Sequence, residues 1–123
     1  MKKLVIDLDE TITNGKENSD YISAIPDKKV IEKLRAYQDS GFEITIFTSR
    51  NMRTFQGQIG KINIHTLPTI LAWLDKHSVP FDEVIVGKPW CGFDGFYVDD
   101  RSIRPKEFKD LSYEEVKKLL GMS

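Results

Sequence analysis

Hydrophobic and polar positions alternate along this chain in blocks that read as strands and helices in turn. Leu4 to Leu8 is a short, unbroken apolar run, the pattern of a strand buried on both faces. The polar stretch "TNGKENSDY" follows, with Asn14-Gly15 as a hairpin-type turn signal. The spacing of Val30, Ile31, Leu34 and Tyr37 predicts a helix over 27–40, with Pro26 suited to its first turn and Gly41 as its stop. "FEITIFT", 42–48, is rich in β-formers and predicts the second strand. Residues 49–65 show little apolar periodicity and read as irregular. A second helix is expected from near Thr66, with Pro68 in its first turn and Leu67, Ile70, Leu71 and Leu74 on its buried face. Third and fourth strands are expected at "EVIVG", 83–87, and "GFYVDD", 95–100. Ser112 and Glu115 have capping-box spacing at the start of a C-terminal helix, and Leu111 and Val116 suit a hydrophobic staple.

Strands alternating with helices predict one α/β domain over 1–123, with a mostly parallel sheet covered by helices on both faces. One link is unusual. "KPWCGFDG" joins the third and fourth strands without helical character, whereas parallel crossovers usually take ~12 residues or more. A bare loop over one end of the sheet is the expected solution.

Composition narrows the field. With 18 basic and 19 acidic residues the formal net charge is -1, which gives no electrostatic footprint for nucleic acid or an anionic membrane. Cys91 is the single cysteine, so neither an internal disulfide nor a cysteine zinc site is expected. The apolar run that opens the chain stops at Asp7, too early for a signal peptide. A soluble cytoplasmic protein is the expectation.

The candidate chemistry lies where the predicted strands end. Asp7 and Asp9 follow the first, Thr48 and Ser49 the second, Lys88 the third, and Asp99 and Asp100 close the fourth. In open parallel sheets the carboxyl ends of the strands form the ligand crevice. Clustered carboxylates raise one another's pKa and need compensation, which a hard cation such as Mg²⁺ supplies through oxygen ligands. An aspartate is a competent nucleophile toward phosphorus, and a second carboxylate two residues away can serve as acid and base. Thr48, backbone N–H groups and Lys88 would hold the phosphate. Taken singly, each residue has an ordinary reading: turn, helix cap or surface charge. The order of the four clusters, each at a strand end, favours the chemical reading. Arg50 and Arg101, just after strand-end motifs, are expected to contact substrate, whereas Arg53 and Arg104 are ordinary surface charges. His65 and His77 read as surface or helix-end residues, Trp73 as packing or at a subunit contact, Trp90 as a wall of the pocket, and Cys91 as an incidental thiol.

These residues carry a resemblance. "DLDETI", "IFTSR", Lys88 in "VGKPW" and "YVDD" resemble, in order, the four motifs of the haloacid dehalogenase (HAD) superfamily of aspartate-nucleophile phosphatases. "TSRNMRT", "KINIHTLP" and "GKPWCGFDGFYVDDRSIRP" resemble the small phosphatases of bacterial capsule-polysaccharide biosynthesis. The resemblance implies a Rossmann-like, capless HAD fold with a short flap between Asp9 and Pro26. It implies Asp7 as nucleophile and Mg²⁺ ligand, and Asp9 as general acid/base that reaches the metal through its backbone carbonyl. Thr48, Leu8 and the Ser49 backbone would bind phosphate, Lys88 would neutralise charge, Asp99 and Asp100 would ligate Mg²⁺, and Thr11 would orient the first loop. Glu10, where many relatives carry a small residue, and the missing helix after Lys88 depart from the pattern. The expected activity is hydrolysis of a small sugar or polyol phosphate. A protein phosphatase and a receiver-like phosphate-binding module are the alternatives. An open, capless site implies a homo-oligomer, a dimer or tetramer.

Overall fold

A computed structural model describes residues 2–16 and 21–123. The chain divides into two compact units, 1–90 and 91–123.

The first unit is an α/β structure around a three-stranded parallel sheet. Strand β1 is Lys2–Ile6, followed by β2 (Thr13–Lys16), a single 3-10 turn and β3 (Ala24–Pro26). Then come helix α1 (Lys28–Asp39), β4 (Phe42–Thr48), α2 (Ile59–His65), α3 (Leu67–Lys76) and β5 (Glu83–Val86). The sheet order is β1-β4-β5, parallel throughout, with Ile6 beside Ile46 and Thr48 beside Val86. Asp82 locks the start of β5 onto β4: its carboxylate accepts the Ile44 N–H at 2.7 Å, and its own N–H donates to the Ile44 carbonyl at 2.8 Å.

The pattern of apolar residues explains this core. Ile44 and Ile46 on β4 are fully buried, with Leu8 and Ile12 from the loop after β1, Val30 and Leu34 from α1, and Ile62, Ile70, Trp73 and Leu74 from α2 and α3. Each such side chain stabilises the fold by roughly 1.5–3 kcal/mol relative to exposure. Pro26 ends β3 and is not in the first turn of α1 as expected; Asp27 caps the helix, its carboxylate accepting the Lys29 and Val30 N–H groups. In α3 the buried face uses Trp73 in place of Leu71, which is exposed. The Trp73 indole donates to the Ala24 carbonyl at 2.9 Å and ties α3 to β3.

Two expectations about the N-terminal half change. Residues 59–65 form α2, where an irregular segment was expected; this helix of about two turns buries only Ile62, too little for a visible period. Asn14-Gly15 lies inside β2, with Gly15 at φ +100° and an irregular register between Thr13 and Lys16, so it kinks the antiparallel β2–β3 ribbon and does not close it. The rest of the expected flap, residues 17–20, lies outside the described residues.

The second unit holds two short helices, α4 (Pro105–Asp110) and α5 (Tyr113–Leu119), which bury Phe108 and Val116. Ser112 caps α5 as expected, with Glu115 returning the bond to the Ser112 N–H at 2.9 Å. Helix α4 was not expected; Pro105 at its first turn and the Glu107 carboxylate on the Arg104 N–H start it. The expected fourth strand is absent: residues 95–99 have no regular structure and a turn begins at Asp100. A strand needs a neighbouring edge to receive its N–H and C=O groups, and β-forming composition does not supply one.

Candidate active site at the carboxyl edge of the sheet

β1 ends at Ile6, and the chain then alternates: Leu8 is fully buried, so Asp7 and Asp9 face away from the core. The Leu8 carbonyl accepts N–H groups from Thr11, Ile12 and Thr13, which winds residues 8–13 into a tight turn. Glu10 takes a left-handed conformation there, at φ +61°, and its N–H donates to the Thr13 hydroxyl.

Register brings the other residues alongside. Thr48 ends β4, and its carbonyl accepts the Lys88 N–H at 3.1 Å just after β5. The Lys88 ammonium lies 3.7 Å from Asp7 Oδ1, while Thr11 donates its hydroxyl to Asp7 Oδ2 at 3.1 Å. Burial pushes the Asp7 carboxyl above the ordinary carboxylate range and neighbouring Asp9 pushes the same way, against the pull of Lys88, the Leu8 N–H and Thr11. Burial outweighs the favourable contacts.

Asp9 is held differently. Arg50 grips it with two parallel bonds, Nη2 to Oδ1 at 2.7 Å and Nε to Oδ2 at 3.0 Å. The Arg50 side chain is only 1% exposed, and its guanidinium lies over the Tyr21 ring. Arg50, expected to contact substrate, is buried and clamps Asp9. The Thr48 hydroxyl accepts the Arg50 N–H at 3.1 Å and so sets the turn that aims the clamp. The sequence gives one cue to it, an arginine directly after Thr48-Ser49, but no sign of its partner 41 residues earlier. A pocket opens on the outer flank of Asp9, lined by Asp9, Glu10, Thr13, Gly15, Tyr21 and Ala24. Tyr21 and the β2–β3 ribbon were not among the expected site residues.

The histidines behave as expected: His65 ends α2 and stacks on Phe55, and His77 caps α3 against Trp73. Trp73 is a packing residue.

Asp99, Asp100 and Arg101 belong to the second unit and are exposed; Asp99 accepts the Arg101 N–H at 2.8 Å. Among the described residues, no group of three or more His, Cys, Asp or Glu side chains is gathered to hold a metal ion. No helix among the described residues is long and apolar enough to cross a membrane.

No protein-family profile and no curated protein sequence matches the chain. A solved structure does: the crystal structure of a structural-genomics target from Vibrio cholerae, 59% identical, superposes with a TM-score of 0.95 over 98% of both chains.

Proposed function

The chain belongs to one family with this Vibrio cholerae protein, and we propose that it is a HAD-type phosphatase that hydrolyses a small phosphate monoester, a sugar or polyol phosphate, through an aspartyl-phosphate. The observation that carries the reading is the Asp7–Lys88 pair beside Thr48 at the carboxyl edge of a parallel sheet, with Asp9 two residues on.

Asp7 is the nucleophile. Thr11 fixes one of its oxygens and Lys88 offsets its charge, so the carboxylate is oriented before substrate arrives. An Asp7 oxygen attacks phosphorus, the bond from phosphorus to the ester oxygen breaks, and Asp9 gives the leaving alkoxide its proton. Asp9 then takes a proton from the water that attacks the acyl phosphate, and inorganic phosphate leaves. Both Asp9 oxygens are engaged by Arg50, so this exchange requires one of the two bonds to open. The donor set fits a hard divalent cation, because it offers carboxylate oxygens and no sulfur. Asp7 would hold such an ion with Asp99 and Asp100. When bound, Mg²⁺ would supply charge neutralisation of the phosphate.

The Arg50 clamp also supports a second reading, a phosphate-accepting module, since an Asp9 that stays clamped leaves the acyl phosphate without its base. Phosphate release from a panel of sugar, polyol and nucleotide monophosphates, with Mg²⁺ and with chelator, separates the two. Metal-dependent turnover is the expected result. A stable stoichiometric phosphoprotein without turnover favours the second reading, and no phosphate chemistry of either kind overturns both.

A further inference from the structure

Helix α1 borders a second groove, of about 200 Å³, lined by Pro26, Lys28, Ile31, Glu32, Arg35 and His77. It shares no lining residue with the pocket beside Asp9. Its four helical residues stand at i, i+3, i+4 and i+7 and so form one stripe along α1. Pro26 at the end of β3 and His77 at the end of α3 complete the wall. Ile31 is buried and gives the groove an apolar side, while Lys28, Glu32 and Arg35 are exposed.

Three polar groups around this groove are unmatched. His77 Nε2 is buried and has no hydrogen-bond partner. The Glu32 carboxylate has no ion-pair partner among the described residues, although Lys28 stands four residues before it. Lysine ahead of glutamate is the weaker order for such a helix pair. Arg35 donates through Nη2 to the Ser78 carbonyl at 2.7 Å, which ties α1 to the end of α3, and its other nitrogens have no partner among the described residues. Burial holds the His77 imidazole below its ordinary pKa, and the Lys76 charge adds to the effect. The ring is therefore neutral at pH 7, and the tautomer with its hydrogen on Nε2 is a donor.

We propose that this groove binds a small zwitterion of the α-amino acid class, with its carboxylate on Arg35 and His77 Nε2, its ammonium on Glu32 and its side chain against Ile31 and Pro26. Nothing in this site depends on the phosphatase reading. Glu32 and Arg35 are helix neighbours, with Cβ atoms about 5–6 Å apart, and carry the two charges that such a ligand presents from one carbon. A simple carboxylate would meet Glu32 as a like charge, and a simple amine would leave Arg35 and His77 unmatched. The groove has the space of six or seven waters at ~30 Å³ each, which is room for a small amino acid.

Isothermal titration of the full chain with the standard amino acids tests the site, with propionate and ethylamine as single-charge analogues of alanine. Saturable binding of at least one small amino acid is the expected result, tighter than either analogue by about tenfold or more. Trp73 then locates it, because its ring centroid lies 4.6 Å from that of His77. The chain has two tryptophans, so Trp90→Phe leaves Trp73 as the one fluorescent reporter, and its emission should change along the same binding curve. Glu32→Gln alters an exposed side chain and should weaken binding by about tenfold or more with an unchanged melting temperature. No saturable binding by any amino acid overturns the site and leaves a solvated helix face. Propionate binding as tightly as the amino acids overturns the zwitterion assignment. Binding that Glu32→Gln leaves unchanged places the ligand elsewhere and overturns the proposal.

Discussion

The chain carries two acidic pairs, each after an apolar run, and the structure treats them differently. Asp7 and Asp9 follow a strand that has a neighbour, and each is gripped: Asp7 by Thr11 and Lys88, Asp9 by Arg50. Asp99 and Asp100 follow "GFYV", which has no ladder, and Asp99 bonds only to the N–H of its own turn among the side-chain bonds described. Similar residue patterns therefore reach opposite states. The difference is an edge: β4 offers β1 a register, whereas the described elements of the second unit are two short helices and offer none to residues 95–99. An acidic pair becomes a site when its strand has a partner to position it.

The sharpest contrast is chemical. Asp7→Asn should lower phosphate release by roughly 10³-fold or more, as expected for loss of a nucleophile. Asp99→Asn should lower it too, through the second pair, but with an unchanged melting temperature, because that side chain is exposed. Steady-state kinetics alongside thermal melts checks both. If Asp99→Asn leaves kinetics untouched, the second pair is an ordinary solvated turn.

Arg50→Ala breaks the grip on the first pair. It removes a charge-assisted bidentate contact and leaves the Asp9 carboxylate partly buried beside apolar surface. The expected cost is about 2 kcal/mol in urea unfolding. Arg50→Lys should recover little of it, since an ammonium cannot make the paired bonds.

Asp7 offers a test by pH. Its carboxyl is raised in the fold, mainly by burial, so the folded state favours the protonated form. That stabilisation is complete below the ordinary value of 3.8 and is lost as pH rises through the folded value. Asp7→Asn mimics the protonated acid. It should therefore melt higher than the parent at pH 7 and match it near pH 3, with the gain trimmed by the charge that Lys88 no longer meets. A variant less stable than the parent at pH 7 would mean that Lys88 and Thr11 outweigh burial.

What the sequence made legible follows the same division. β4, α1, α3, β5 and the Ser112 cap were readable because periodicity or local capping chemistry specifies them. The gathering of Asp7, Thr48 and Lys88 was readable because strand ends in a parallel sheet share an edge. The Arg50 clamp was not legible because its partner lies 41 residues away and a bidentate clamp leaves no local pattern. Helix α2 was missed because a single buried Ile62 gives no period. The strand at 95–100 was expected because composition reports propensity, whereas a ladder also needs an available edge.

The smallest effect concerns Glu10, which follows Asp9 within the turn of residues 8–13. At φ +61° a side chain with a Cβ is strained, by roughly 1 kcal/mol. Glycine adopts that conformation without the clash but loses more chain entropy on folding. Glu10→Gly should thus raise stability by a few tenths to about 1 kcal/mol, the strain relief slightly exceeding the entropic cost. The Glu10 N–H bond to Thr13 survives the change, so the turn that presents Asp7 and Asp9 should keep its shape. Chemical denaturation reads the stability and substrate KM reads the turn. Increased stability with an unchanged KM makes Glu10 a strained bystander; an increased KM makes its carboxylate, on the wall of the Asp9 pocket, part of substrate selection.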